Sequence, residues 1–250
     1  MPIELGHLDA SYPPECADAI SEDDLARYAH ALTRRFHDLP AATADPVAAQ
    51  DARVGLSDSR LARQAYDVRS SECSWLVEAL HRYDPRGRRV AVVTTLGPWI
   101  ETLCLLFGAR PTRVSPTPIA SLTPRLPCIT RADWQKQPGV FDDAIACGMV
   151  EQCGLGRLGD GLAVDGDRLM IDDLAGMVGS GGRLFLFLPI GKDVVVFNAG
   201  RIYGRIRLPF LLRGWKPIDA FGFSASMLDG NGDKLALLVM QRECRTTGPS

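Results

Sequence analysis

The chain has 250 residues, of which 46% are hydrophobic and 23% are charged, as in ordinary globular proteins and unlike disordered ones. Its 28 basic and 30 acidic residues leave a net charge of −2, so no overall basic field favours nucleic acid or an anionic membrane as a partner. The longest apolar runs, 184–190 and 235–240, are far shorter than the roughly 20 residues that a membrane helix needs.

The N-terminal sequence shows neither the basic nor the apolar segment of a secretory signal. The seven cysteines include no Cys-x-x-Cys pair, which argues against a zinc ribbon. We therefore expect a cytoplasmic protein with reduced thiols. No histidine lies near Cys147 or Cys153, so both are expected to be buried, inert thiols.

Residues 1–85 are predicted to form a helical extension. Ser21 is a typical N-cap, and apolar residues recur at helical spacing over 22–37 and again over 58–83. Between these helices, 40–56 carries prolines and predicts a loop. Two roles are open for the extension: a lid over a crevice, or a contact between the subunits of a homodimer.

Strands and helices alternate over 86–243, and 244–250 is expected to be a disordered tail. Strands are predicted at 90–95, 112–115, 126–130, 141–148, 181–190, 218–224 and 234–242, with helices over 99–109 and 167–178. This order predicts an α/β fold with a mostly parallel sheet that is covered on both faces. The last two strands, joined by a turn at 229–232, should form an antiparallel hairpin.

Ligands of such sheets bind beyond the carboxyl ends of the strands, at the switch point after the first strand. We therefore expect a pocket formed by Thr94, Thr95 and Gly97, by the end of the fourth strand at 146–151, and by 189–191.

Two stretches carry a family pattern. The first is VVTTLGPWIETLCLLFGA at 92–109, and the second runs from FDDAIACGMVEQCGLGRLGD at 141–160 to VFNAGRIYGRIRLPFLLRGW at 196–215. Together they resemble an uncharacterised family, domain of unknown function 268, which is similar in pattern to class I S-adenosylmethionine (SAM)-dependent methyltransferases. The resemblance covers roughly residues 88–224. It implies a Rossmann-like, methyltransferase-type three-layer sandwich with SAM as cofactor. It also implies a turn through Gly179, Gly181 and Gly182 before the fifth strand.

The resemblance makes five residues candidates for binding SAM: Thr94, Thr95, Gly97, Glu101 and Ser115. Methyltransferase sites carry several glycines after the first strand and an acidic residue after the second. This chain has one glycine in the first place and Ser115-Pro116 in the second. The competing interpretations are a tight turn at Gly97 and a Glu101 that merely stabilises the start of its helix.

Three residues after the fourth strand are candidates for catalysis. Glu151 is the acid/base candidate, because burial in a crevice raises the pKa of a carboxyl group. Arg157 could bind an anionic group through two hydrogen bonds, and Asp160 ends the same glycine-rich segment, 154–160. The alternative is an ion pair of Arg157 with Asp160 or Glu151 that only holds the loop.

Asn198, Arg201 and Tyr203 are candidates for binding the substrate, because they follow the fifth strand on the side where methyltransferase-like folds receive it. An arginine-rich surface or an oligomer contact is the alternative. Asp160, Asp165 and Asp167 lack the regular spacing of a calcium loop, so no metal site is predicted, and Asp167 is expected to be the N-cap of the next helix.

The leading hypothesis is SAM-dependent methyl transfer to a small polar or anionic metabolite. Glu151 would accept the proton of the acceptor group, and Arg157 would orient the substrate. Two alternatives stay open: an enzyme that has lost SAM and uses Glu151 for cyclisation, elimination or hydrolysis, and a non-catalytic binding subunit. The fold alone does not choose among them.

Overall fold

A computed structural model describes residues 19–40, 70–157, 159–196, 199–230 and 234–243. The remaining parts of the chain are outside this description. They include 58–69 of the second predicted helix, nearly all of the predicted loop at 40–56 and the predicted tail at 244–250.

The described helices are α1 (Glu22–Arg35), α2 (Ser71–Arg82), α3 (Trp99–Leu106), α4 (Arg131–Lys136), α5 (Gly166–Met177) and α6 (Arg207–Leu211). Short 3₁₀ helices cover Val150–Gln152 and Ala225–Asp229. None of the helices in the described ranges is long and apolar enough to cross a membrane.

The main strands are β2 (Arg89–Thr94), β3 (Arg110–Ser115), β5 (Cys128–Thr130), β6 (Phe141–Cys147), β7 (Val178–Ile190), β10 (Trp215–Phe221) and β11 (Lys234–Arg242). Two small pairs complete the strands: β1 (Ala19–Ile20) with β4 (Ala120–Ser121), and β8 (Val194–Val196) with β9 (Gly200–Ile202).

The seven main strands form one sheet in the order β10-β11-β7-β6-β2-β3-β5. The five strands from β7 to β5 are parallel, whereas β11 is antiparallel to both β7 and β10. The predicted fold class, a mostly parallel sheet with a C-terminal antiparallel hairpin, is therefore confirmed.

Helices cover both faces of the sheet. Because successive side chains of a strand point to opposite sides, each strand contributes residues to both helix layers. On β2, Val90 and Val92 pack into the layer of α1, α2 and α3, while Ala91 and Val93 pack into the layer of α4, α5 and α6. Burial on both faces explains why this strand is a continuous apolar run and not an alternating one.

The described part of the N-terminal extension shares this core. Ser21 caps α1 as predicted, in a capping box with Asp24. Tyr28 and Leu32 of α1 belong to the same apolar cluster as α2 and α3. β1 pairs with β4, and the carboxylate of Glu22 accepts a hydrogen bond from Arg125 at 2.7 Å.

Two local expectations are wrong. Of the three glycines predicted to turn the chain before the fifth strand, only Gly181 has a positive φ, of 75°. β7 instead begins directly at Val178, and a side chain at Gly182 would lie 2.5 Å from the carbonyl oxygen of Asp142. The connection between β10 and β11 is also longer than a tight turn, since it contains the 3₁₀ helix Ala225–Asp229.

Candidate functional site

The parallel strands end at one edge of the sheet, which we call the carboxyl edge. Thr94, the last residue of β2, pairs with Cys147 of β6. On the other side of β2, Val93 pairs with Val114, so Ser115 at the end of β3 reaches the same edge. The sheet therefore brings the predicted cofactor segment and the predicted catalytic segment together.

The segment after β2 is closely fitted to the segment after β6. Thr94 and Thr95 are buried, and the Thr94 hydroxyl accepts a hydrogen bond from the amide of Leu96 at 3.0 Å. Gly148 has a φ of 70°, and a Cβ atom there would lie 3.8 Å from the Thr95 hydroxyl. Gly97 is partly exposed at the start of α3, where its carbonyl accepts from the amide of Trp99.

A buried ion pair lies under this segment. Arg113 and Glu101 are 1% and 0% exposed, and the Nε of Arg113 donates to the Oε1 of Glu101 at 2.7 Å. The Nη2 of Arg113 donates to the carbonyl of Leu96. The Oε2 of Glu101 has no hydrogen-bond partner, and neither has the Nε1 of the neighbouring Trp99. Burial raises the pKa of Glu101, and the charge of Arg113 opposes that rise.

Ser115 is 1% exposed, and its hydroxyl donates to the carbonyl of Thr117. The end of β3 thus presents a hydroxyl that is already bonded to the chain. This is the place where methyltransferase sites carry an acidic residue.

Glu151 lies in the 3₁₀ helix that follows β6. Its Oε1 accepts a weak hydrogen bond of 3.4 Å from the side chain of Gln152, and its Oε2 is buried with no partner. Burial raises the pKa of Glu151, while the charge of Arg157 lowers it by less. A carboxyl group with a raised pKa can hold or release a proton nearer to neutral pH than an exposed one can.

The glycine-rich segment after Glu151 folds back on itself. A Cβ atom at Gly154, whose φ is 75°, would lie 2.4 Å from the carbonyl of Ala163, so only glycine fits there. The amide of Gly154 donates to the Oδ2 of Asp160. The Oδ1 of Asp160 is buried without a partner. One oxygen of Asp160 therefore holds the loop and the other is left for another donor.

Of the predicted substrate residues, Arg201 contacts the protein's own backbone. Asn198 lies outside the described residues. Arg201 is 3% exposed, and its guanidinium donates to the carbonyls of Cys153, Ala163 and Val164 at 2.6, 3.1 and 3.2 Å.

Tyr203 is also buried, and its hydroxyl donates to Asp167 at 3.3 Å. Burial and the charge of Asp167 raise the pKa of Tyr203 well above its ordinary value. Arg201 therefore binds the loop beside the site, Tyr203 binds helix α5, and the described polar contacts of both are with the protein itself.

Two residues of this region were missed. The expected N-cap role of Asp167 is wrong, because Asp165 is the capping residue of α5. Asp167 lies inside the helix, is 0% exposed, and accepts hydrogen bonds from Tyr203 and from Arg207. Arg113 was missed as well, although a charged residue within a buried parallel strand was a visible signal that it needs a charged partner.

The thiol of Cys153, near the site, is not activated. Burial raises the pKa of Cys153 to about 12, and both Cys147 and Cys153 are buried and free of disulfides. Over the described ranges of the chain, no group of three or more histidine, cysteine or acidic side chains is placed to hold a metal ion.

Buried polar atoms without a hydrogen-bond partner concentrate at the carboxyl edge. They include Trp99 Nε1 and Glu101 Oε2 after β2, and Glu151 Oε2 and Asp160 Oδ1 after β6. Leaving such an atom unbonded costs about 1–3 kcal/mol, so each of these atoms needs a partner, which bound water or a bound ligand can supply. These four atoms offer one donor and three acceptors.

Comparisons with known proteins agree with the fold. A family model described as Caenorhabditis protein of unknown function, DUF268, matches residues 87–235. None of the curated proteins searched matches this chain.

Among solved structures, the pyocyanin biosynthetic protein PhzM is 15% identical with a TM-score of 0.51, and the match covers 74% of this chain and 58% of that one. The N-methyltransferase NodS from Bradyrhizobium japonicum is 15% identical with a TM-score of 0.49, covering 76% and 100%. The 1,6-didemethyltoxoflavin-N1-methyltransferase of Burkholderia thailandensis, solved with S-adenosylhomocysteine, is 15% identical with a TM-score of 0.47, covering 78% and 94%. At such identity the likeness concerns the fold, which is methyltransferase-like.

Proposed function

Because the chain belongs to the DUF268 family and has a methyltransferase-like fold, we propose that it transfers a methyl group from SAM to a small polar or anionic metabolite. The observation that carries the proposal is the set of unpartnered buried polar atoms at the carboxyl edge. In sheets of this kind the crevice beyond the carboxyl ends is where ligands bind. A ligand with both donors and acceptors would satisfy these atoms.

The residues present fit SAM in part of its structure. SAM carries an ammonium group and ribose hydroxyls, which are donors, and a carboxylate, which is an acceptor. Glu101 Oε2 offers an acceptor and Trp99 Nε1 offers a donor in the first turn of α3. Ser115 does not offer the usual carboxylate, since its hydroxyl bonds to Thr117. We therefore assign the hold on the cofactor to Glu101 and Trp99, with Thr94, Thr95 and Gly97 shaping the segment above them.

When bound, SAM supplies an electrophilic methyl group, and the chain's own residues do the rest. Glu151 would accept the proton that the acceptor oxygen or nitrogen loses, at the oxygen that has no partner. Its raised pKa makes it a stronger base than an exposed carboxylate. Arg157, whose charge is felt by Glu151, would orient an anionic part of the substrate. Placing these groups at fixed positions is the main contribution of the protein.

A second candidate is acid/base chemistry without SAM, by Glu151 acting on the same crevice. The observation that favours it is at the end of β3, where no carboxylate is available for a ribose. Under this alternative the raised pKa of Glu151 would serve a cyclisation, an elimination or a hydrolysis.

Calorimetry separates the two candidates. SAM and S-adenosylhomocysteine titrated into the full chain should each give a saturable heat with one site. The Glu151→Gln variant should bind both as the wild type does, because Glu151 is assigned to the acceptor and not to the cofactor. No heat with either compound at millimolar concentration would eliminate the methyltransferase.

The role of Glu151 is then tested in the producing cell. Glu151→Gln should remove the methylated product, whereas Glu78→Gln, the same change at an exposed position of α2, should leave it unchanged. Both variants must keep the far-ultraviolet spectrum of the wild type. An unchanged product in folded Glu151→Gln would contradict a catalytic Glu151 and favour a binding subunit.

We also propose that residues 1–85 serve this site as a lid or as a dimer contact. Support comes from the position of α1, which packs on α3, and from the Glu22–Arg125 ion pair, which ties the extension to the chain after β4. A Glu22→Gln variant, which weakens the ion pair with Arg125 and keeps the helices of the core, should lose SAM affinity or dimerisation, as calorimetry and sedimentation would show. Unaltered affinity and mass would contradict both roles.

A further inference from the structure

Arg113 is a buried cation that joins three elements. It lies on β3, two residues before the strand ends, and is 1% exposed. Its guanidinium donates to Glu101 on α3 and to the carbonyl of Leu96 in the segment after β2. Removing an arginine from water is unfavourable, so a place of this kind requires good partners or a purpose.

The pair lies next to the end of β3 on the side of α3. Residues 113 and 115 of a strand point to the same face, so Arg113 and Ser115 share the face against which α3 packs. Ser115 has no carboxyl group and its hydroxyl is used by Thr117. Glu101, which Arg113 holds at 2.7 Å, is thus a carboxyl group beside the place where the sequence offers none.

Half of that carboxyl group is unused. Oε1 of Glu101 accepts from Arg113, while Oε2 is buried and has no partner. Arg113 fixes the orientation of the group, because the guanidinium also bonds to the backbone at Leu96. A carboxylate oxygen held in this way can accept a hydrogen bond from a hydroxyl donor without losing further side-chain freedom.

We propose that Arg113 is a positioning residue, which holds Glu101 so that its free oxygen receives the ribose hydroxyls of the bound nucleoside cofactor. The pair would replace the carboxylate that is missing at the end of β3. Since Glu101 has no exposed surface, the ligand reaches Oε2 only when a neighbouring segment shifts. Leu96 in the segment after β2 is 37% exposed, and we expect this segment to be the one that shifts. The proposal rests on the proposed function, which makes SAM the ligand.

A double-mutant cycle in ligand affinity tests whether Arg113 positions Glu101. The variants are Glu101→Gln, Arg113→Met and the two combined, titrated with S-adenosylhomocysteine by calorimetry. Each single change should weaken binding roughly tenfold to a hundredfold, the range for losing a hydrogen bond to a charged group. The combined variant should bind no more weakly than either single one, because both changes remove the same contact. Losses that simply multiply would overturn the proposal.

A second probe locates the contact on the ligand. 5′-Methylthioadenosine keeps the ribose and lacks the amino-acid end of SAM. It should lose affinity for Glu101→Gln by a factor similar to that of S-adenosylhomocysteine. If 5′-methylthioadenosine binds both proteins equally, Glu101 does not receive the ribose and the proposal is wrong.

Controls separate this role from a structural one. Arg183→Met removes a largely buried arginine, 15% exposed and paired with Asp143, at the opposite edge of the sheet. It should lower stability and leave the affinity unchanged. Arg113→Lys keeps the charge in case Arg113→Met does not fold, and it should bind weakly because one ammonium replaces a two-sided contact. If folded Arg113→Lys and Glu101→Gln both bind S-adenosylhomocysteine with wild-type affinity, the proposal is wrong. Failure of the wild type to bind either probe would instead refute the proposed function.

Discussion

The buried carboxylates at the two edges of the central sheet differ in how fully they are hydrogen-bonded. At the edge where the parallel strands begin, Asp143 is 1% exposed and its two oxygens accept from Arg88 and from both the side chain and the amide of Arg183. At the carboxyl edge, Glu101 and Glu151 each keep one buried oxygen without a partner.

We interpret this difference as one between polar groups that stabilise the fold and polar groups that contact a ligand. A polar cluster that serves only stability is expected to be fully bonded, as that of Asp143 is, because each orphaned atom weakens the fold. Buried polar groups that the protein itself leaves unpaired are completed by bound water, an ion or a ligand. We therefore propose that the amino edge, where the parallel strands begin, anchors the sheet and that the carboxyl edge receives the ligand.

The largest expected effect is at the amino edge. Asp143→Ala leaves Arg183, which is 15% exposed, without its carboxylate, and removing one partner of a buried pair costs about 3–5 kcal/mol. Urea unfolding should show that loss, with a much smaller one for Asp142→Asn at the half-exposed neighbouring position. A loss below about 1 kcal/mol for Asp143→Ala would break the comparison.

The next effect is at Arg201, which the sequence suggested as a substrate contact. Arg201→Met removes the donors to the carbonyls of Cys153, Ala163 and Val164. We expect a loss of about 2 kcal/mol in unfolding free energy, because the buried carbonyl of Cys153 loses its charged donor and the buried Asp167 loses an ionic partner. Hydrogen exchange should speed up over 153–164. If the variant keeps full stability and loses substrate binding, Arg201 contacts the substrate and is not a structural residue.

Glu151→Gln should have a smaller effect and the opposite sign. The folded-state pKa of Glu151 is raised by burial, so the folded protein binds the proton more tightly than the unfolded chain does. The carboxyl group therefore disfavours folding once the pH rises above the unfolded value of about 4.3 and through the folded value.

At pH 7.5 the Gln variant should be more stable than the wild type by about 1 kcal/mol, since it buries no charge. At pH 4 the difference should vanish, because both states then hold the proton. Urea titrations at the two pH values measure this. A Gln variant that is less stable at pH 7.5 would show that the carboxylate has a partner after all.

The smallest effect concerns the thiols. Because the pKa of Cys153 is raised to about 12, almost no thiolate exists at neutral pH. Iodoacetamide should leave Cys153 and the buried Cys104 unmodified in the native protein and label them in urea, as peptide mass spectrometry would show. Rapid native labelling of Cys153 would point to an activated thiol.

The sequence was sufficient to predict the strands of the sheet. It was insufficient to predict which way the polar side chains point. Apolar runs such as 90–95 and cap signals such as Ser21 are local, and they predicted the strands and the first helix. Arg201 and Tyr203 were predicted to bind the substrate, yet both are buried. No local pattern could show this, because their partner Asp167 is more than 30 residues away along the chain. Arg113 needed the partner Glu101 from another element, which no local pattern reveals.

A crystal structure of the protein grown with S-adenosylhomocysteine would test the central claim most directly. The account predicts ligand density between the segment after β2 and the 3₁₀ helix of Glu151, with a ligand hydroxyl within hydrogen-bond distance of Glu101 Oε2. Density elsewhere, or an empty carboxyl edge whose orphaned oxygens are all completed by ordered water, would contradict it.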